Sequence, residues 1–214
     1  MNAGLRVVVL AKVPVPGRVK TRLCPPCTPE QAARVAAAAL ADTIDAVSAC
    51  GADVRVLVTD TAVAAPPGWE GQLQRGGPLG ERLAGAFADT RVAGTATLLV
   101  GMDTPQLTAG QLDAALAQLA SPDGPDAVLG PAEDGGWWGL GLREPAHAVV
   151  LRDIPTSTAT TGSRTREALR RRGLRVGELP GLRDVDTADD AYAVAGLCPP
   201  GRRFPRAVAA EVSR

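Results

Sequence analysis

The sequence predicts one α/β domain: a mostly parallel sheet with helices on both faces. Three observations lead there. Apolar runs of strand length alternate with helical segments along the chain, which is how a parallel sheet has to be wired. Two of the helical segments open on complete capping signatures, so their starts are marked. No low-complexity linker or internal repeat breaks the alternation, and 214 residues suffice for one such domain while being short for two.

The first strand is "LRVVVLA" (5–11), apolar throughout as burial on both faces requires. It is far too short to span a membrane and runs into Lys12 and Pro14 with no small-residue cleavage site. No membrane partner is therefore expected. Thr28, Pro29 and Gln31 supply an N-cap, a proline at the first helical position and a capping-box glutamine, ahead of an alanine-rich helix to about Cys50. "DVRVLVTD" (53–60) is the second strand, "LGERLAGAFADTRV" (79–92) a helix, and "TATLLVGMD" (95–103) another buried strand. Thr108 with Gln111 repeats the capping signature before the helix "AGQLDAALAQLA" (109–120). "PDAVLGPA" (125–132) and "WWGLGLR" (137–143) read as two more strands, the second interrupted by Gly139 and Gly141. "SRTREALRRRG" (163–173) is a short helix ended by its glycine, "LRVGELP" (174–180) a late strand, and Thr187 caps a last helix through Gly196. Residues 1–197 form the expected domain, and 198–214 a Pro- and Arg-containing tail of undetermined order.

Composition excludes several functions. Lys plus Arg number 23 and Asp plus Glu number 23, leaving no basic surplus to hold a nucleic-acid backbone. An anion bound here must be small and locally held. Four cysteines, two of them in Cys24-Pro-Pro-Cys27, do not make a disulfide framework at this length and suit a reduced, cytoplasmic compartment. The paired cysteines precede a helix start, where a thiolate would be stabilised, but a zinc site would have to recruit His147 and Cys50 or Cys198.

In doubly wound sheets ligands bind outside the carboxyl ends of the strands, so the loops after strands carry the candidate chemistry. "AKVPVPGRVKTRL" (11–23) puts Lys12, Arg18, Lys20 and Arg22 on a loop stiffened by prolines, with Gly17 permitting close backbone approach. Cations in that position suit a polyphosphate, and arginine can bond two oxygens at once. The stretch is not a Walker loop, since Val19 stands where the second glycine belongs. A solvated basic loop is the plain alternative. In "VGMDTPQL", Asp103 ends an apolar strand, as a ligand for a hard cation or as a turn former. In "RDVDTADD", Asp184 and Asp186 lie two apart and would share a face of an extended segment, whereas helix capping explains Asp189 and Asp190. "AEDGGWWGLGL" offers a glycine-lined turn and two tryptophans, Trp137 and Trp138, at least one of which belongs to the core. "GGPLGERL" (76–83) enters a helix with amides suited to a nucleobase edge or a phosphate, or simply starts that helix. "PTSTAT" (155–160) holds hydroxyls that could orient an acceptor or turn the chain, and the arginines of 164–172 read as a solvated face.

Taken in order, these motifs resemble the DUF2064 family of GT-A-fold, nucleotide-diphospho-sugar-transferase-like proteins, which is similar to the molybdenum-cofactor and phospholactate guanylyltransferases. The resemblance runs from about residue 5 to 196. It implies a Rossmann-like GT-A fold whose first loop holds a triphosphate and whose central strand ends in an Asp that binds Mg²⁺ or Mn²⁺. On this chain it implies Arg18, Lys20 and Arg22 as phosphate contacts beside Lys12, Gly17 and Thr21, with Asp103 and Asp186 as metal ligands. Lys20 and Asp103 would carry the catalysis. Gly80 and Glu81 would border the nucleotide, and Asp134, Gly135, Gly136, Trp137, Ser157 and Thr158 the acceptor. The usual opening of such transferases is a GxGxR loop, whereas this one is proline-rich with a single Gly17, which leaves the donor open.

The expected activity is Mg²⁺-dependent transfer of a nucleotidyl group from a nucleoside triphosphate to a small phosphorylated or hydroxyl acceptor, with pyrophosphate leaving. No histidine is needed, which suits a chain whose only one is His147. A glycosyltransferase using a nucleotide sugar is the rival, although Gly101 stands where a DxD motif would have its first Asp. A nucleotide-binding protein without turnover is the third reading. Base, acceptor and oligomeric state are not legible.

Overall fold

The structure is a computed structural model and describes residues 4–213. The chain forms β1 (Gly4–Ala11), α1 (Pro29–Ala49), β2 (Val54–Thr59), β3 (Glu70–Leu73), α2 (Leu79–Asp89), β4 (Thr95–Val100), α3 (Ala109–Ala120), β5 (Ala127–Pro131), β6 (Trp137–Leu142), α4 (Thr161–Arg171), β7 (Val176–Glu178), α5 (Ala188–Leu197) and α6 (Arg203–Glu211). Two 3-10 helices, Thr21–Leu23 and Pro145–Asp153, complete it. The strands lie in the order β3-β2-β1-β4-β6-β5-β7, all parallel except β6. The expected single α/β domain with a mostly parallel sheet is therefore the fold observed.

Alternation along the strands divides the core. Val7 and Val9 of β1 face a layer built with α1 and α3, among them Ala36, Leu112 and Leu116, while Val8 faces a second layer with Phe87 of α2, Leu151 and Leu169 of α4. Both faces are thus covered, which is why the strands read as continuous apolar runs. The capping boxes at Thr28/Gln31 and Thr108/Gln111 form as expected, and Thr187/Asp190 makes a third.

The antiparallel β6 has a plain cause. A parallel return needs a crossover of a dozen or so residues, and the β5–β6 connection is far shorter, so the chain must fold back as a hairpin. Gly135, at φ 87°, makes that turn, and Ala159 lies so close that a Cβ there would collide with its backbone carbonyl. β3 escaped the sequence reading because its four residues are all exposed and carry no apolar pattern; β2's free edge organises them.

The tail is ordered. α6 packs Phe204 and Val208 against Ala32, Val35 and Ala39 of α1 and Val194 of α5. Asp42, fully buried on α1, accepts from the amides of Arg203 (2.9 Å) and Phe204 (2.7 Å), capping the start of α6. Arg202 reaches from the same turn to the carbonyls of Asp42 and Leu107.

Candidate functional site

After β1 the chain proceeds outward through β2 and β3, then returns to place β4 on the other side of β1. This reversal opens a cleft of about 520 Å³ at the carboxyl ends of β1 and β4. The loop after β1 forms one wall. Val13 donates its amide to Asp60 Oδ1 at the end of β2 (2.8 Å), and Arg18 reaches Asp60 Oδ2 at 3.4 Å. Gly17 takes φ 76° in the turn between Val15 and Arg18, and Val19 is buried in the core, so the loop is fastened at both ends.

Lys20 follows in a left-handed conformation (φ 47°) with its side chain only 7 % exposed. A β-carbon is strained there, and surrounding contacts must hold it. They do so through the ammonium: Nζ lies 2.5 Å from Asp103 Oδ1 and 3.9 Å from Asp186 Oδ1, and donates to the Val185 carbonyl. Arg22 donates to the other Asp186 oxygen at 2.8 Å. The Val185 amide donates to the Asp103 carbonyl (2.9 Å), tying the two acidic segments together. Residues more than 160 positions apart in sequence, Lys20 and Asp186, thus share one cluster.

Asp184 lines the cleft beside this cluster. Burial, then the neighbouring charges of Asp134 and Asp186, raise its carboxyl to about 6. Asp190 serves differently, accepting from the amides of Asp186 and Thr187, the Thr187 hydroxyl and the fork of Arg183, which accounts for it as helix capping and packing.

Of the residues singled out from sequence, the cleft brings together Lys12, Arg18, Lys20, Thr21, Arg22, Asp103 and Asp186 with Asp134, Gly136, Trp137 and Ser157. Gly17, Gly80, Glu81, Gly135 and Thr158 do not line it. Gly80 is a packing glycine: a Cβ would stand 2.3 Å from the Leu151 carbonyl, so α2 could not approach that segment. Glu81 folds back on the Gly77 amide (3.1 Å), and the Thr158 hydroxyl is engaged with those of Thr160 and Thr161. Trp138 is the core tryptophan, covering Gly130 and donating to the Pro180 carbonyl (2.9 Å).

The sequence reading did not name Gln74, Arg82, Thr104, Thr156 or Thr161, which also line the cleft. Arg82 lay in plain view inside "GGPLGERL", whereas Gln74 follows a strand without any pattern and reaches the Ala11 carbonyl (2.7 Å) only through the fold. Thr104 is 2 % exposed and its hydroxyl has no partner among the described residues. The Cys24/Cys27 pair belongs elsewhere: both are free, and Cys27 is buried against α6, donating to the Glu211 carbonyl, with burial pushing its thiol up rather than stabilising a thiolate.

Among the described residues, no group of three or more His, Cys, Asp and Glu side chains is placed to hold a metal ion unaided. The oxygens of Asp103 and Asp186 do converge on one cation, the Lys20 ammonium, with Thr104 unpartnered beside Asp103. Two carboxylates completed by substrate phosphates are the arrangement Mg²⁺ or Mn²⁺ accepts.

A cationic loop and a strand-ending aspartate thus meet at the reversal of strand order, the place where open α/β sheets bind their ligands. The chain belongs to the family described as "Uncharacterized protein conserved in bacteria (DUF2064)", which it matches over residues 31–158. No curated protein matches it in sequence. Among solved structures it is similar to a candidate nucleotide-diphospho-sugar transferase from Desulfovibrio desulfuricans G20, at 24 % identity and TM-score 0.84 with all of both chains covered. It is also similar to CMP:2-keto-3-deoxy-manno-octonic acid synthetase complexed with CTP, at 12 % identity and TM-score 0.57, covering 91 % of this chain and 98 % of that one. Rv0371C of Mycobacterium tuberculosis H37Rv in complex with manganese matches at 21 % identity and TM-score 0.51, with 91 % and 98 % covered. No helix among the described residues is long and apolar enough to cross a membrane.

Proposed function

We propose that the protein is a divalent-metal-dependent nucleotidyltransferase, moving a nucleotidyl group from a nucleoside triphosphate to a small acceptor with release of pyrophosphate. The observation that carries this reading is the convergence of Lys20 and Arg22, from the β1 loop, on the carboxylates of Asp103 and Asp186 at the reversal of strand order. A site with both signs of charge suits a metal–polyphosphate complex, which is both anionic and cationic. The CTP and manganese bound by two proteins of the same fold support it.

In this reading Arg18 and Arg22, both largely exposed, close as forks on the terminal phosphates. Asp103 and Asp186 hold the metal, which supplies charge stabilisation at the phosphates when bound. Lys20, paired with Asp103 in the free protein, moves its charge onto the pyrophosphate as that leaves. The acceptor oxygen, already ionised if a phosphate or releasing its proton to water if a hydroxyl, attacks the α-phosphorus in line while the bond from that phosphorus to the β-bridging oxygen breaks. Once the site has closed, charge is held by side-chain cations rather than by reorganised water, which is where the rate gain arises.

One observation favours a second reading. The solved structure that covers this chain end to end is a candidate nucleotide-diphospho-sugar transferase, so a glycosyltransferase acting on a nucleotide sugar remains the rival. Thermal shift of the metal-free protein against nucleoside triphosphates and nucleotide sugars, with and without Mg²⁺, separates the two. Mg²⁺-dependent stabilisation by one triphosphate, lost in Asp103→Ala with the fold intact, is the expected result. Preference for a nucleotide sugar moves the assignment to the rival, and no shift with either class sinks both.

A further inference from the structure

The cleft is divided by charge, and the division follows the strand order. Every lysine and arginine that lines it comes from the β1 loop or from Arg82 on α2, on the β1 side. Beyond β4, the β5–β6 turn, the segment before α4 and the segment bridged to Ala132 through Leu182 contribute none. That end presents Asp134, Asp184, Thr156, Ser157 and Trp137, and Thr104 lies in the floor between the halves.

The hydrogen-bonding inventory of this end is specific. Asp134 uses Oδ1 to accept from the Gly136 amide (2.7 Å), Asp184 accepts from its own backbone amide, and among the described residues no hydrogen bond engages the side-chain oxygens of Thr156 or Ser157. Thr104, 2 % exposed, has a buried hydroxyl with no partner among the described residues. Ser157 is held at φ 58°, a left-handed conformation costly for a serine, at the cleft wall. At the start of α4 two of the first amides are already engaged: the Thr161 amide donates to the Thr158 carbonyl (3.0 Å) and that of Gly162 to the Gly135 carbonyl (2.8 Å).

We infer that this end of the cleft takes a neutral, polyhydroxylated group, a sugar or polyol, and excludes a phosphorylated one. Carboxylates accept from ligand hydroxyls, the threonine and serine hydroxyls both donate and accept, and the half-buried Trp137 offers an apolar face to ring carbons. A phosphate monoester would place its charge against Asp134 and Asp184, where the cation that reaches Asp184, Lys20, is already held by Asp103 and Asp186, and repulsion of that kind is how sites reject a close analogue. The inference rests on the reading that the cationic loop takes the donor's phosphates. Two sources share the chemistry: a free polyol that accepts the nucleotidyl group, or the sugar of a nucleotide sugar.

Binding calorimetry with paired probes tests it. In one arm, inorganic pyrophosphate fills the cationic loop and monosaccharides and polyols are titrated beside their own phosphate monoesters. In the other, nucleotide sugars are compared with the matching nucleoside diphosphates plus Mg²⁺. The expected result is binding at least about tenfold tighter for the neutral member of a pair in the first arm, or for the sugar-bearing nucleotide in the second. The arm that responds names the source. In Asp134→Asn the discrimination against phosphate esters should shrink several-fold; Asp134 is exposed, so the variant is expected to fold. Phosphate esters bound as tightly as their parents, or no gain from a neutral sugar in either arm, overturns the inference. Failure of pyrophosphate and every nucleotide to bind would instead remove the donor reading. The sugar-against-ester comparison would still be readable without pyrophosphate.

Discussion

Replacing Lys20 with methionine should move two affinities in opposite directions. The ammonium lies 2.5 Å from Asp103 and 3.9 Å from Asp186, between the two carboxylates proposed above to hold the metal. Its side chain is 7 % exposed, while those of Asp103 and Asp186 are 48 % and 37 % exposed, so water can reclaim both carboxylates when the lysine is lost. Stability therefore falls by about 1–2 kcal/mol, between an exposed pair and a fully buried one. For a chain of 214 residues that is a Tm drop of roughly 2–8 °C. A unit charge about 4 Å from a divalent ion contributes roughly 8 kcal/mol at an effective dielectric near 20, before solvation offsets most of it. Mn²⁺ binding without nucleotide should accordingly tighten about ten- to a hundredfold in the variant, read by electron paramagnetic resonance of free Mn²⁺. Triphosphate binding in EDTA should weaken by a similar factor, with nucleosides little changed. If both affinities fall together, Lys20 does not occupy the cation's place and the reasoning fails.

Three further outcomes follow from the same geometry. In Gly80→Ala the new Cβ meets the Leu151 carbonyl at 2.3 Å, so urea denaturation should show a loss of about 1–3 kcal/mol with nucleotide affinity retained; lost affinity at unchanged stability would make Gly80 a ligand contact instead. Asp184 titrates near 6 in the folded protein against an ordinary value of 3.8, so between those pH values the folded state binds the proton more tightly and stability falls as pH rises through that window. Asp184→Asn should flatten that slope and raise stability at pH 7.5 by about 1 kcal/mol once solvent screening is allowed for, measured without metal; a steeper slope would refute the assignment. Asp42→Ala strands one buried and one part-buried amide at the start of α6 and should cost about 2–4 kcal/mol, whereas a loss within about 0.5 kcal/mol would mean that α6 is not capped there.

Much of this molecule is written locally. Strand runs such as "LRVVVLA" and caps such as Thr28/Gln31 act over a few residues, because periodicity and capping are short-range physics. The loop cations, Asp103 and the 184–186 pair were legible for the same reason, since each follows a recognisable strand or precedes a recognisable cap. What tertiary structure decided are the meetings: Lys20 with Asp103 and Asp186, Gln74 with the end of β1, and Asp42 with α6. It also separated look-alike residues, sending Gly80 to packing and Arg82 to the cleft, and burying Trp138 in the core while Trp137 stays partly exposed. The physical reason is that an amino acid's chemistry is set by its side chain, while its partners are set by the strand order. That order arises from long-range pairing, β4 returning to the far side of β1, and no local pattern encodes it.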